Sequence, residues 1–157
     1  MRIIQNRGMN ILELTVVISI IILIAAITLP NLSSFKKQQA LKNTTADIVS
    51  LINEARNSTI SSKNSTNYGI HFEEDKAILF SGSSFANNVS DKQIDFDNTV
   101  MVSEDSGINL HGGGNDLIFE RITGNTANYG TIVVQLVSDS SNNRVINVSS
   151  IGIVSVN

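Results

Sequence analysis

Two histidines, His71 and His111, are the only imidazoles in this chain of 157 residues, and no cysteine accompanies them. A metal site would need carboxylates brought in by the fold. Thiolate-bound zinc, iron–sulfur clusters and thiol nucleophiles are excluded outright. His111 opens the run His111-Gly112-Gly113-Gly114, which would suit an oxyanion loop, yet no Gly-x-Ser-x-Gly nucleophile motif occurs anywhere. A flexible turn is the preferred reading of that run. His71 falls within a strand pattern and reads as a structural residue. Asp95-x-Asp97 followed by Glu104-Asp105 is the best calcium candidate, but the glycine and terminal glutamate of an EF-hand loop are missing. A solvated acidic loop is the alternative. Asn-x-Ser/Thr occurs at Asn31, Asn43, Asn57, Asn64, Asn88 and Asn147, close to chance in a chain with 19 Asn and 20 Ser. No catalytic constellation, cofactor site or metal site is expected from these residues.

One ionisable residue stands apart. Leu14 to Leu29 reads LTVVISIIILIAAITL, sixteen residues without a charge, and the run extends back to Met9 with Glu13 as its single interruption. At about 1.5 Å per residue, the span from Met9 to Pro30 covers roughly 30 Å, the hydrocarbon thickness of a bilayer. Apolar residues all round, rather than along one stripe, predict a membrane segment instead of a soluble core helix. Arg2 and Arg7 supply a basic start, but Thr28-Leu29-Pro30-Asn31-Leu32 is a poor secretory cleavage site. A plain anchor with Arg2 and Arg7 in the cytoplasm is weakened by Lys36 and Lys37 beyond the far end. It also leaves Glu13 unexplained. A carboxylate inside an apolar segment costs roughly 2.5–3.5 kcal/mol on insertion scales and is functional by default. A position at the headgroup edge would remove most of that cost, and the residues alone leave both readings open.

Arg7-Gly8-Met9-Asn10-Ile11-Leu12-Glu13-Leu14, running into the apolar stretch, resembles the class III signal of type IV prepilins. The resemblance implies that a prepilin peptidase cuts between Gly8 and Met9, that Met9 is then N-methylated, and that Glu13 is the glutamate used in filament assembly. Pro30 matches the proline that kinks the pilin helix near the end of its apolar part. Met9 departs from the usual Phe. A glycine before the cut lets an extended backbone enter the peptidase. In the filament that the resemblance implies, the freed amine of one subunit would meet Glu13 of its neighbour, offsetting part of the cost of burying a carboxylate and setting axial register, as buried polar groups do in coiled coils.

Beyond the apolar run, from Phe35 to about Ser62, Leu41, Thr45, Ile48, Ile52, Ala55 and Thr59 recur at four-three spacing, predicting an amphipathic helix that packs its stripe on a sheet. The Ser/Thr/Asn-rich block Asn57–Asn67 ends it. From Tyr68 onward short strands are expected at Tyr68–Phe72, Ala77–Ser81, Gln93–Phe96, Thr99–Val102, Ile108–Leu110, Leu117–Glu120, Thr131–Val137, Arg144–Val148 and Gly152–Val156. Glu73–Lys76 would turn the first hairpin and Ser138–Asn143 a later one, with Thr131–Val137 the central strand. One long helix followed by seven to nine antiparallel strands defines an α+β fold.

That order resembles the pilin ladle, whose handle is the helix and whose bowl is a sheet. Within it, the chain is most similar to minor pseudopilins of the GspH/FimT type. The residues that carry this are Glu54-Ala55-Arg56 with Ile60, Tyr68–Phe72, Leu117–Gly124, Thr131–Val134 and Arg144–Gly152. The absent cysteine pair departs from many major pilins and tilts toward a minor subunit, or toward a lineage that does without disulfides. The implied organisation is a cleaved leader at 1–8, a transmembrane and assembly half-helix at 9–30, an amphipathic half at 31–62 and a β-rich domain at 63–157. The implied function is structural: a minor pilin or pseudopilin, not an enzyme, that initiates or caps a type IV pilus or a type II secretion pseudopilus. Implied partners are other pilin subunits through the N-terminal helix, prepilin peptidase, the inner-membrane assembly platform and, before assembly, the lipid bilayer. The N-terminus would be cytoplasmic and the globular domain outside the cytoplasm. Alternatives are a tip adhesin, a DNA-uptake receptor or a major pilin. Nucleic acid is disfavoured by a net charge of -3 and by the scatter of Lys63, Lys76, Lys92, Arg121 and Arg144.

Overall fold

The apolar run and the amphipathic stretch after it form one continuous helix, α1 (Ile11–Ile60), of 50 residues. This is seen in a computed structural model that describes residues 10–85, 90–103 and 107–157, the side chains of 28–31 and 90 excepted. The structure divides into two compact units, Met1–Lys36 and Lys37–Asn157, with α1 contributing to both. In the first unit the helix is long and apolar enough to cross a membrane. Its side chains from Ile11 to Ile27 are exposed on every face of the helix apart from the half-buried Ala25, Leu23 at 63% exposure being typical. The backbone of this stretch needs no outside partner, because a helix satisfies its own N–H and C=O groups. Its hydroxyls follow suit: Thr15 Oγ1 donates to the Leu12 carbonyl at 2.8 Å and Ser19 Oγ to that of Thr15 at 2.7 Å.

In the second unit the expected stripe is the buried face of α1. Leu41, Thr45, Ile48, Ile52, Ala55 and Thr59 are all buried, and Thr44 and Leu51 join them, so the face is broader than the four-three series alone. The threonines are tolerated because their hydroxyls are used. Thr45 Oγ1 donates to the Leu41 carbonyl at 2.7 Å and Thr59 Oγ1 to that of Ala55 at 2.9 Å. Thr59 Oγ1 also accepts the N–H of Tyr68 at 3.0 Å, tying helix to strand. The helix stops at Ile60, two residues short of the expected end. Ser62 then adopts a left-handed conformation (φ 51) that unwinds it into a short 3₁₀ turn, Lys63–Ser65.

Nine strands follow among the described residues: β1 (Tyr68–Phe72), β2 (Lys76–Ser81), β3 (Ser90–Asp95), β4 (Val100–Val102), β5 (Ile108–Leu110), β6 (Asp116–Phe119), β7 (Gly130–Leu136), β8 (Asp139–Val148) and β9 (Val154–Val156). They build the expected antiparallel β domain as two sheets. The first has the order β3-β2-β1-β6; in the second, β7 lies between β8 and the pair β4 and β5, with β9 beyond β8. The core faces follow from period-two alternation. Ile70, Phe72, Leu79, Leu117 and Phe119 from the first sheet and Val102, Ile132, Val134, Ile146 and Val148 from the second join the helix stripe in one buried cluster. Fully burying each such side chain contributes roughly 1.5–3 kcal/mol.

Two hairpin expectations fare differently. Glu73–Lys76 does turn β1 into β2, closed by the Glu73 N–H on the Lys76 carbonyl at 2.9 Å. Ser138–Asn143 is not a six-residue turn. The turn is Val137–Ser138, and β8 already begins at Asp139, with a bulge where the pairing steps from Gln135↔Asn143 to Leu136↔Asp139. The Asp139 side chain explains it: Oδ1 accepts from the Ser141 N–H at 3.1 Å and Oγ at 2.6 Å, and Oδ2 from Asn142 Nδ2. These bonds hold the extra residues of a bulge in place. At the other end of β8, Gly152 takes φ +76 and lies in the turn, which shortens the last strand to Val154–Val156.

Candidate functional site

Glu13 sits in the first turn of α1. Ahead of it Asn10 caps the helix: Oδ1 accepts the Leu12 N–H at 3.3 Å, and its carbonyl accepts that of Leu14 at 3.1 Å. Asn10 is thus a capping residue that the reading of the sequence passed over, although Asn directly before an apolar run is a helix-start signal. With Asn10 as cap, Glu13 is the third helical residue, where a carboxylate faces unpaired N–H groups and the positive end of the dipole. The side chain is exposed, as are the apolar residues that follow it. A carboxylate, a helix start and an exposed apolar helix surface therefore coincide. Gly8 and Met9 lie outside the described residues. The helix assignment passes through Pro30 without interruption.

The other candidates fall apart as chemistry. His71 Nδ1 meets Asp116 Oδ1 at 2.6 Å across β1 and β6, and the imidazole stacks on Phe85 with ring centroids 4.0 Å apart. Phe85 in turn meets Phe80 edge-on at 5.6 Å. The histidine fastens the segment after β2 over the outer face of the first sheet. His111 stacks on Tyr129 at 4.7 Å, and Gly112, Gly113 and Gly114 all have positive φ, the mark of a tight turn. Asp97 turns its carboxylate onto the Thr99 hydroxyl at 2.6 Å, which holds it below the usual carboxylate range. Asp95 accepts from Gln93 Nε2. Glu104 and Asp105 lie outside the described residues. Among the described residues no three His, Cys, Asp or Glu side chains gather as metal ligands. Two of the basic residues weighed for nucleic acid are engaged elsewhere, Lys76 with Glu73 at 3.0 Å and Lys92 with Glu54 at 2.7 Å.

What does come together is the set of loose motif residues. Arg56 Nη2 donates to the Ile151 carbonyl at 3.3 Å. Gly152 lies against the same guanidinium, and a Cβ there would fall 2.2 Å from the Gly124 carbonyl and 2.7 Å from Arg56 Nε. A Cβ on Gly124 would meet Ile60 at 2.7 Å. Gly69 needs its missing side chain for a similar reason, since the Phe80 ring lies 2.7 Å from where it would be. Segments read separately as Ala55-Arg56, Ile60, Leu117–Gly124 and Arg144–Gly152 thus form one junction between helix and sheets.

A long N-terminal helix whose second half packs on antiparallel β-sheets is the type IV pilin-like fold. Solved structures with this fold include the type IV minor pilin FimU of Pseudomonas aeruginosa PAO1 in two crystal forms. One has a TM-score of 0.61 at 13% identity, covering 78% of this chain and 92% of that one; the other has 0.58 at 13%, covering 74% and 92%. The minor pseudopilin EpsH from the type 2 secretion system of Vibrio cholerae matches with a TM-score of 0.53 at 8% identity over 74% of this chain and 95% of that one. No protein-family model matches the sequence, and no curated protein matches it.

Proposed function

We propose that this chain is a minor pilin or pseudopilin, a structural subunit and not an enzyme. The observation that carries the reading is the bare apolar helix with Glu13 in its first turn, on a fold shared with minor pilins and a minor pseudopilin. Before assembly the bilayer covers the apolar helix; afterwards the helices of neighbouring subunits do. A prepilin peptidase cuts between Gly8 and Met9, Met9 is N-methylated, and the assembly platform of the inner membrane draws the subunit into a type IV pilus or type II secretion pseudopilus. The N-terminus stays cytoplasmic until that step and the β domain lies outside the cytoplasm. In the filament, the Met9 amine of one subunit pairs with Glu13 of the next, so that a misaligned subunit strands a carboxylate in an apolar core. Pro30 has no N–H to donate to the Ala26 carbonyl, which loosens the helix where its apolar part ends.

Co-expression of the full chain with a prepilin peptidase tests the first step by intact mass. Loss of residues 1–8 with gain of a methyl group is expected. An unchanged mass, or a cut elsewhere, would remove the pilin reading.

A further inference from the structure

The two ends of the β domain differ in a way that the fold does not require. At one end the Tyr68↔Phe119 and Gly130↔Val148 ends of the two sheets are joined by the Thr126 N–H on the Ser150 carbonyl at 2.9 Å. Around the Arg56 junction, this end exposes Ile122 at 72%, Ile151 at 53% and Ile153 at 56%. Ile122 is also at φ 72, a left-handed conformation that a β-branched residue rarely adopts. Arg121 beside it is exposed and makes no ion pair or hydrogen bond among the described residues, and its sequence neighbour Glu120 is exposed as well. The fold thus strains its backbone to hold an isoleucine in water next to an unpaired guanidinium.

At the opposite end a cleft of about 450 Å³ opens between the β1–β2 turn and the segment leading to β4. Glu73, Glu74, Asp75 and Asp97 rim it, and Phe96, Val100, Met101 and Val137 supply apolar lining. Of these carboxylates Glu73 is matched by Lys76 and Asp97 by Thr99, whereas Glu74 and Asp75 are exposed and form no ion pair among the described residues. The walls are fixed in advance by main-chain bonds, Phe96 N–H to the Asp75 carbonyl at 2.8 Å and Val102 N–H to that of Glu74 at 3.0 Å. A preformed, acidic, apolar-lined cleft complements an apolar knob that carries the exposed guanidinium of Arg121 on the same domain.

We propose that a second copy of this chain seats its Ile122 knob in the Glu73–Asp97 cleft, with Arg121 meeting Glu74, so that β domains associate head to tail. Such a contact is heterologous: it uses different surfaces on the two copies, does not close on itself unless the rotation happens to form a ring, and otherwise propagates along an open array. It goes beyond membrane insertion and helix packing, and it needs neither.

The cysteine-free chain makes the test direct. Full-length copies carrying Ile122→Cys and Val137→Cys, differently tagged, are co-expressed in membranes and oxidised. The expected product is a disulfide-linked pair of the two variants, at least about five-fold above Ile122→Cys or Val137→Cys with itself, a ratio on the scale of 1 kcal/mol. Adding Arg121→Glu to the first copy lowers that yield, and adding Glu74→Lys to the second restores it. All four positions are on the surface of the domain, so a folding defect is checked by the unchanged circular dichroism of each variant. No mixed link, self-links of equal yield, or no rescue by the charge swap would overturn the contact. Filament incorporation is scored in a separate assay, so failure of the assembly reading is told apart from failure of this one.

Discussion

Arg56 on the helix and Gly152 in the β8–β9 turn occupy neighbouring space that only a residue without a side chain leaves free: a Cβ on Gly152 would fall 2.7 Å from Arg56 Nε. That turn also presents the Ile151 carbonyl to Arg56 Nη2 at 3.3 Å. Helix, β6–β7 loop and last turn are thereby locked by one guanidinium and two glycines.

Two glycine substitutions separate close packing from backbone strain. Gly113 has φ +74 with nothing within 4 Å of its would-be Cβ, so Gly113→Ala costs only the left-handed strain, about 1–2 kcal/mol. Gly152→Ala bears the same strain at φ +76 and adds a clash with the Gly124 carbonyl, roughly 1–3 kcal/mol more. Thermal melting of the full chain in detergent should rank wild type above Gly113→Ala and Gly113→Ala well above Gly152→Ala. Equal losses would show that the junction yields.

Thr59→Val keeps the shape of a fully buried side chain but removes the acceptor of the Tyr68 N–H. An unpaired buried donor costs about 1–3 kcal/mol. Chemical denaturation should show that loss, and hydrogen exchange at Tyr68 should accelerate. By contrast Glu54→Gln, which breaks a pair that is about half exposed on both sides, should change stability by less than about 1 kcal/mol.

Asp139 carries a pH dependence. Hydrogen bonds from the Ser141 hydroxyl, then from Asn142 and the Ser141 N–H, hold its carboxyl below the usual range. A group depressed in the folded state adds stability above its unfolded value, near 3.9, and that stability is lost as pH falls through the lower folded value. The melting-temperature gap between wild type and Asp139→Ala should therefore be constant from about pH 5 to pH 8 and narrow below about pH 4. A gap that widened with acid would contradict the assigned role of the bulge.

Legibility in the sequence followed the range of the interactions. The apolar run and the Leu41–Thr59 stripe depend on residues three and four apart, so periodicity located them, and the hairpin at Glu73–Lys76 announced itself by local turn chemistry. The bulge at Asp139 looked like loop because its Ser/Asn composition is that of a turn, while the cross-strand pairing that makes it strand depends on β7. The division of the strands into two sheets, and the His71–Asp116 pair 45 residues apart, are set by tertiary register that no local pattern encodes. Arg56, Gly124 and Gly152 were visible as separate marks; only the fold brings them to one place. Asn10, by contrast, was readable: a capping residue directly before the run, with Glu13 three residues on.

The assembly role proposed for Glu13 is measured most directly by incorporation into sheared filaments. Wild type and Glu13→Ala are expressed with the peptidase and the filament machinery, and inserted, processed protein is quantified beside protein recovered in filaments. Glu13→Ala should insert and be cut normally yet fall to a small fraction of wild type in the filament. Equal recovery of the two would contradict the account.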